Sequence, residues 1–147
     1  MADKAEPVAF VTDSREKEPY LFEGFPVTVK KIDAGDYSLV GVEDQVVVER
    51  KSKEDAYGCT GKSRDRFKRC LERMSKLKRA VIVIESSFHD FQTPPSRTMI
   101  SKQQAIGSYI SWWSHYGVGV FWGTRAECEA FTVKWLVACL KHSQEGW

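Results

Sequence analysis

The sequence feature that most restricts the fold is an uninterrupted apolar run from Ala80 to Ile84, which ends at Glu85. A β-branched run without polar alternation is typical of a strand whose two faces are both covered. The segment before it, Ser63 to Lys78, carries apolar residues at helical spacing. The order of strand and helix patterns along the chain therefore predicts an α/β fold, with a mixed central sheet of about five strands flanked by helices.

Further strands and helices follow from the same patterns. Strands are predicted at 8–11, at 25–32, beginning at Asp36, at 46–51 and at 118–122. The strands at 25–32, at Asp36 and at 46–51 would form a three-stranded meander. Segment 86–98 contains two prolines and predicts a loop long enough to be a mobile flap.

Two later helices are predicted from capping boxes and apolar spacing. One begins at Ser101 with Gln104, and the other begins at Thr124 with Glu127. The predicted inner faces are Ile106, Tyr109, Ile110 and Trp113 for the first helix, and Cys128, Phe131, Trp135 and Ala138 for the second. Trp112 lies off the apolar face of the first helix, which makes it the best candidate for stacking on a nucleic-acid base.

Length and composition favour one globular domain over residues 1–147, with residues 1–7 as a loose leader. The chain has 147 residues, of which 42% are hydrophobic and 29% are charged. Neither a membrane-spanning apolar run nor a signal-peptide pattern is present in the sequence, so we expect an intracellular protein with no membrane partner. The four cysteines lack zinc-ligand spacing and predict reduced, mostly packed thiols.

The candidate chemistry lies between Gly35 and Lys51. Because neighbouring side chains of a strand point to opposite faces, Glu49 and Lys51 would share one face and Arg50 would take the other. If the Asp36 strand pairs with this strand, two carboxylates come close together and repel each other unless a cation lies between them. Mg²⁺ or Mn²⁺ with a nearby lysine suits phosphodiester hydrolysis. The alternative is an exposed hairpin with scattered surface charge.

Two ordered motifs resemble those of the XPF-type structure-specific nucleases. The first consists of Gly35-Asp36, Glu49-Arg50-Lys51 and Asp55, and the second is Asp13-Ser14-Arg15-Glu16. The resemblance implies a restriction-endonuclease-like core and a metal-dependent DNA endonuclease. It also implies that cleavage leaves a 5′-phosphate and favours branched, flap or fork DNA, as in repair, recombination or replication.

The resemblance and the strand pattern together assign roles to individual residues. Asp36 and Glu49 would hold the metal ion, with Asp13 as a further ligand or outer carboxylate, and Lys51 would position or help deprotonate the attacking water. Arg15 would reach a phosphate or pair locally with an acid. Arg50 would support the site through a buried ion pair or touch the substrate. Ser52 and Asp55 form a capping-box pattern, which favours a structural role for Asp55.

Basic residues are concentrated after the candidate site. Twelve basic and four acidic residues lie between Arg50 and Arg79, although the whole chain carries a formal net charge of only +2. Such a local field suits a polyanionic substrate. On the predicted helix the basic face consists of Arg66, Arg69, Arg73 and Lys76, and Lys62 and Arg64 precede it in the chain. All of these except Lys76 are our candidate nucleic-acid contacts; a solvated charged surface is the alternative.

Other functions on the same fold stay open from sequence alone. Larger members of the resembled family carry a helix-hairpin-helix domain, which we do not find in this sequence; it is more similar to compact stand-alone members. Specificity for DNA junctions would then come from the basic helix, from a homodimer or from a protein partner. The alternatives are a non-catalytic DNA-binding or scaffolding subunit, and a nuclease with another DNA specificity.

Overall fold

The computed structural model describes residues 8–147; the predicted leader at 1–7 lies outside the described residues. Its strands are β1 (Phe10–Asp13), β2 (Val27–Lys30), β3 (Tyr37–Leu39), β4 (Val46–Ser52), β5 (Arg79–Glu85) and β6 (Gly119–Gly123). Its helices are α1 (Lys53–Gly58), α2 (Arg64–Ser75), α3 (Phe88–Phe91), α4 (Lys102–Tyr116) and α5 (Arg125–Gln144). The α/β prediction is confirmed, with six strands in the sheet where about five were expected.

The sheet runs in the order β2-β1-β3-β4-β5-β6. Strand β5 lies between β4 and β6 and is parallel to both, as expected for an apolar strand that is covered on both faces. Strand β3 is antiparallel to both β1 and β4, which makes the sheet mixed. The pairing of β3 with β4 confirms the predicted pairing of the Asp36 strand with the strand at 46–51.

The two faces of the sheet carry separate hydrophobic clusters. Along β4, Val47 packs into the cluster that contains the core residues of α2 and α4. Its neighbours Val46 and Val48 pack into the cluster beneath α5. Because this alternation continues along the strand, Glu49 and Lys51 point towards α2, whereas Arg50 points to the opposite face.

The predicted three-stranded meander is wrong. Strand β2 lies at the edge of the sheet, parallel to β1, so that β1 separates it from β3. All four residues of β2 are exposed, although a half-buried strand was predicted. The cause lies in the connection from β1, where Tyr20 and Phe22 are buried against the sheet and Tyr20 stacks on Tyr37 at 4.9 Å between ring centroids. This packed crossover places β2 beside β1, so that β2 does not pair with β3 as the meander required.

Helix α4 faces the core with a different side from the predicted one. Trp112 is buried and packs on Phe67, whereas Trp113 and Ile110 are 48% and 58% exposed. The small residues Ala105 and Ser108 lie inside the helix packing, so the larger apolar residues alone gave the wrong orientation. The proposed base-stacking role of Trp112 is therefore wrong.

Helix α5 also differs from its predicted inner face. Cys128 is buried as predicted, but its buried companions are Thr132, Leu136 and Cys139. The Thr132 hydroxyl donates to the Cys128 carbonyl at 2.7 Å, which allows a polar residue to lie inside. All four cysteines are free, and three of them are buried.

The capping boxes are correct in one case and partial in another. At α5, Thr124 and Glu127 form the full reciprocal pair. At α4, Ser101 accepts from the Gln104 amide, but the Gln104 side chain donates to the Thr60 carbonyl instead of returning to the cap. Both helices nevertheless begin where the sequence predicts.

The predicted flap at 86–98 contains the short helix α3. Phe91 is fully buried there, and the Tyr57 hydroxyl donates a hydrogen bond to the Phe91 carbonyl. This anchoring replaces the mobile flap predicted for the first part of the segment. Within residues 8–147, no helix is long and apolar enough to cross a membrane.

Gly35 offers a test of the turn that leads into β3. Its φ is +87°, and an added Cβ would lie 2.7 Å from the Val47 Cβ. We expect Gly35→Ala to destabilise the protein by about 2–4 kcal/mol, because left-handed strain and a steric clash add together. Urea unfolding measures this change.

Gly24→Ala is the matched control for that substitution. Gly24 has a φ of +86°, but nothing lies within 4 Å of the position of its added Cβ. It should lose only the strain contribution, about 1–2 kcal/mol. Equal losses in both variants would contradict the close contact with Val47.

Candidate active site

The site is built by the pairing of the Asp36 segment with β4. The Asp36 amide donates to the Val48 carbonyl at 2.8 Å, and the Arg50 amide donates to Asp36 Oδ2 at 2.8 Å. On its other side, the Asp36 carbonyl accepts from the Asp13 amide at 2.8 Å. Asp36 is therefore fixed by backbone groups of two neighbouring strands.

Glu49 and Lys51 lie together on the α2 side of β4, as the strand alternation predicts. Lys51 Nζ lies 2.9 Å from Glu49 Oε2 and 4.9 Å from the centroid of the Phe67 ring. Burial alone would lower the pKa of Lys51, but the negative charge of Glu49 raises it above its ordinary value. Lys51 is therefore a charged ammonium in this arrangement.

Asp36 and Glu49 line one cavity of about 230 Å³, which we name the carboxylate cavity. Its other lining residues are Asp13, Arg15, Asp33, Ala34, Gly35, Cys70 and Arg73. The two acidic side chains thus face a common space, although they come from different segments. The exposed-hairpin alternative does not describe this arrangement, since Glu49 is only 8% exposed.

The electrostatics of this cavity favour a cation. Burial, together with repulsion from Glu49, raises the pKa of Asp36 to about 8. Within residues 8–147, no group of three or more acidic, histidine or cysteine side chains is arranged to hold a metal ion. A pair of carboxylates still fits Mg²⁺, because this ion retains several waters and commonly takes only one or two carboxylates plus phosphate oxygens.

Asp13 lines the carboxylate cavity, but its carboxylate is hydrogen-bonded to other groups. Its carboxylate accepts from Arg15 Nε at 2.9 Å and from the Ile32 amide at 2.8 Å. Burial acts to raise the pKa of Asp13, but these hydrogen bonds outweigh it and lower the pKa. Arg15 also donates to the Ile32 carbonyl at 2.7 Å. Of the two roles predicted for Arg15, the structure shows the local ion pair, which is formed with Asp13.

Arg50 lies on the opposite face of β4 in a buried ion-pair network. Its guanidinium donates to Glu16 at 2.8 Å and to Glu85 at 2.9 Å, and its side chain is only 14% exposed. Glu85 also accepts from Arg125 and from the Tyr20 hydroxyl. Of the two roles predicted for Arg50, the structure shows the buried ion pair. The buried position of Arg50 does not support the other predicted role, direct contact with nucleic acid.

Comparison with known proteins agrees with the architecture and the motif. The ERCC4 domain model matches residues 12–139. The chain belongs to the ERCC4 domain family. It carries an XPF-type endonuclease domain on the fold described above. No curated protein matches the sequence.

Two solved structures are similar to this ERCC4 domain. XPF from Aeropyrum pernix has a TM-score of 0.69 and 19% identity over 90% of this chain and 65% of that chain. XPF from Aeropyrum pernix in complex with DNA has a TM-score of 0.70 and 19% identity over 94% of this chain and 66% of that chain. This chain therefore spans slightly less than two thirds of either structure, and the likeness concerns the fold.

The predicted nucleic-acid residues fall into different environments in the ERCC4 domain. On α2, Arg66, Arg69 and Arg73 are exposed, and Arg73 also lines the carboxylate cavity. Lys62 is exposed in the connection between α1 and α2. Arg64 differs from these residues, because it donates to the Ser108 hydroxyl at 2.8 Å and stacks on Trp112. That position indicates a packing role for Arg64.

Ser52 and Asp55 form the start of α1. The Ser52 hydroxyl accepts from the Asp55 amide at 3.1 Å, which is the forward half of the predicted capping box. Within residues 8–147, the hydrogen bonds do not include a return bond from the Asp55 carboxylate to the cap. Asp55 is exposed and does not line the carboxylate cavity, consistent with the structural role predicted for it.

Asp33 and Cys70 line the carboxylate cavity but were not among the site residues predicted from the sequence. Asp33 belongs to the Asp33-Ala34-Gly35-Asp36 turn, where two acidic residues flank a sharp bend. Cys70 precedes Arg73 by three residues and thus lies beside it on α2. Burial and the charge of Glu49 raise the pKa of Cys70 to about 11, so it is a neutral thiol.

Removing Arg50 should cost more than removing the cation of an exposed ion pair. Arg50→Ala leaves the buried Glu16 without its cation, and we expect a loss of about 3–5 kcal/mol. The control Lys30→Ala removes the cation of the Lys30–Glu43 pair, whose side chains are 47% and 22% exposed, and should cost about 1 kcal/mol or less. Urea unfolding at neutral pH compares the two variants.

The same comparison has an expected pH dependence. Although burial opposes it, pairing with Arg50 keeps the pKa of Glu16 below its ordinary value of 4.5 in the folded protein. The stabilisation is therefore present above that value and is lost as the pH falls through the lower folded-state pKa. The difference between wild type and Arg50→Ala should narrow in acid. A constant difference would contradict the assignment of the loss to Glu16.

Proposed function

We propose that this ERCC4 domain is a divalent-metal-dependent DNA endonuclease that hydrolyses phosphodiester bonds. The observation that carries the proposal is the convergence of Asp36 and Glu49 on one cavity, with the Lys51 ammonium 2.9 Å from Glu49. Membership of the ERCC4 domain family supports the reaction class. The similar structure described as a complex with DNA supports the choice of substrate.

Asp36 and Glu49 are the residues that would hold Mg²⁺ or Mn²⁺. When bound, such an ion polarises a phosphate oxygen and increases the acidity of a coordinated water. The residues of the chain supply the surroundings for this chemistry. The Arg50 amide fixes the Asp36 carboxylate at 2.8 Å, so its orientation does not depend on a mobile side chain.

Lys51 acts in this proposal as a fixed positive charge. Because its pKa is raised, it holds its proton and orients water or offsets negative charge that develops on the phosphate. It does not serve as a general base while it is paired with Glu49. Asp13 acts as a support: its bond to the Ile32 amide holds the segment that leads to Gly35 and Asp36.

The proposal extends to the preferred DNA structure and to the cellular process. We infer a preference for branched, flap or fork DNA from the family resemblance, with an intracellular role in repair, recombination or replication. The exposed arginines of α2 would contact the phosphate backbone beside the carboxylate cavity. A second copy of the chain or a protein partner would extend that contact.

Cleavage assays test the catalytic assignment. Purified protein is incubated with labelled flap, fork, single-stranded and duplex DNA in Mg²⁺, Mn²⁺ or EDTA. We expect cleavage only with metal, its near loss in Asp36→Asn, and a loss of about a hundredfold or more in Lys51→Ala. DNA binding should persist in both variants, since neither removes the basic face of α2.

Asp65→Asn is the control for these variants. Asp65 is a carboxylate on α2 that does not line the carboxylate cavity, so its substitution should leave cleavage unchanged. Cleavage that continues in EDTA or in Asp36→Asn would overturn the assignment. Metal-independent binding without any cleavage by the wild type would instead favour a DNA-binding or scaffolding subunit.

The basic face of α2 has a separate test. Replacing Arg66, Arg69 and Arg73 together with alanine should weaken binding to all DNA sequences and lower the slope of log affinity against log salt by about one unit for each phosphate that is no longer bound. Lys141→Ala, at an exposed position near the end of α5, is the control. Fluorescence anisotropy over a salt series measures both. Unchanged affinity and slope would identify this face as ordinary solvated surface.

A further inference from the structure

A second cavity adjoins the carboxylate cavity and has no role in the function proposed above. It has a volume of about 560 Å³ and lies between residues 30–34, the Glu43-Asp44 turn and the end of α2. Asp33, Ala34 and Arg73 line both cavities. The two cavities are therefore direct neighbours.

The lining of the second cavity is apolar on one part and charged on another. Its apolar lining residues are Ile32, Ala34 and Leu77; the first two are 4% and 7% exposed and form the floor, and Leu77 is half-buried. Lys30 also lines this cavity, but it pairs with Glu43. The half-buried Leu77 can therefore contact a base without disturbing the Lys30–Glu43 pair.

The remaining charged lining residues have both signs. They are Lys31, Arg73 and Lys76, with Asp33 and Asp44. Within residues 8–147, the hydrogen bonds and ion pairs do not include a partner for the Lys31 or Lys76 ammonium groups, which leaves both available to a phosphate. The two carboxylates can accept hydrogen bonds from the ring or exocyclic N–H groups of a base.

We propose that the second cavity holds one unpaired nucleotide of the substrate strand, next to the phosphate that is cut. The proposal rests on the proposed function, because it uses a DNA strand at the carboxylate cavity. Lys31 and Lys76 bind the phosphates of this nucleotide, and the half-buried Leu77 supplies apolar surface beside its base. A plain basic groove for duplex DNA would need neither an apolar recess nor carboxylates, since duplex DNA presents its phosphates outwards and keeps its bases stacked.

This cavity supplies a physical basis for discrimination between DNA shapes. A nucleotide in continuous duplex must leave its stack and its partner before it can enter, which costs free energy. A nucleotide at a flap or fork is already unpaired and enters without that cost. The second cavity would therefore select the branch point within the same chain.

Paired variants and modified DNA test the proposal. Binding is measured by fluorescence anisotropy in EDTA, so that no cleavage intervenes, on a flap and on a duplex of equal length. We expect the double variant Lys31→Ala, Lys76→Ala to bind the flap about tenfold more weakly, with a salt slope lower by about one unit per lysine, and the duplex nearly unchanged. Lys68→Ala, at an exposed position of α2 that lines neither cavity, should change neither affinity.

An abasic scan locates the nucleotide. A stable abasic residue is placed at successive positions around the flap junction, and the wild type should bind more weakly at one position beside the cleavage site. In the double variant the abasic residue should reduce the affinity less than in the wild type, because the nucleotide no longer occupies the second cavity and its base makes fewer contacts there.

The outcomes separate the two proposals. Equal weakening of flap and duplex binding in the double variant, or a uniform abasic profile, in a wild type that cleaves DNA with metal would overturn the nucleotide site and leave the endonuclease proposal standing. A wild type that neither binds nor cleaves any of these DNAs would overturn both. Both lysines are exposed, so the double variant should keep the wild-type unfolding transition, which urea unfolding checks.

Discussion

The pairing of the Asp36 segment with β4 is the interaction on which the site depends. Two 2.8 Å hydrogen bonds join these segments, one from the Asp36 amide to Val48 and one from the Arg50 amide to the Asp36 carboxylate. Gly35 permits the pairing, because its positive φ and missing side chain allow close approach to Val47. The distance between the two candidate metal ligands is therefore set by sheet geometry.

Strand β4 supplies candidate catalytic residues and also the residue that supports them. Glu49 and Lys51 point into the α2 side of the sheet, while Arg50 between them binds Glu16 and Glu85 on the α5 side. Each of these charged groups is largely buried and would be costly without its partner. Within residues 8–147, the Asp36 carboxylate accepts from the Arg50 amide but forms no ion pair, and burial together with repulsion from Glu49 raises its pKa to about 8. A buried carboxyl group whose ionised form is disfavoured, and would be stabilised by a bound cation, is typical of a functional site.

The extent to which the sequence predicted this structure depends on how local each determinant is. The β4 alternation, the strand β5 and the start of α5 depend on residues close together in sequence, and the predictions for them are confirmed. The position of β2 depends on Tyr20 packing against Tyr37, a contact between distant residues that a periodic pattern does not contain. The site shows the same division, because the shared face of Glu49 and Lys51 follows from strand period alone. By contrast, the burial of Trp112 depends on how α4 meets α2, and small residues that contribute little to an apolar pattern decide that contact.

Lys51 connects the chemistry to the surface that would receive DNA. Its ammonium lies 2.9 Å from Glu49 and also 4.9 Å from the centre of the Phe67 ring, and Phe67 is an inward residue of α2. The same helix carries Arg73 into the lining of both cavities. A rotation of α2 would therefore disturb the lysine, the arginine and the carboxylate pair together. Because a cation–π contact weakens quickly with distance, this packing fixes Lys51 and Arg73 relative to the two carboxylates.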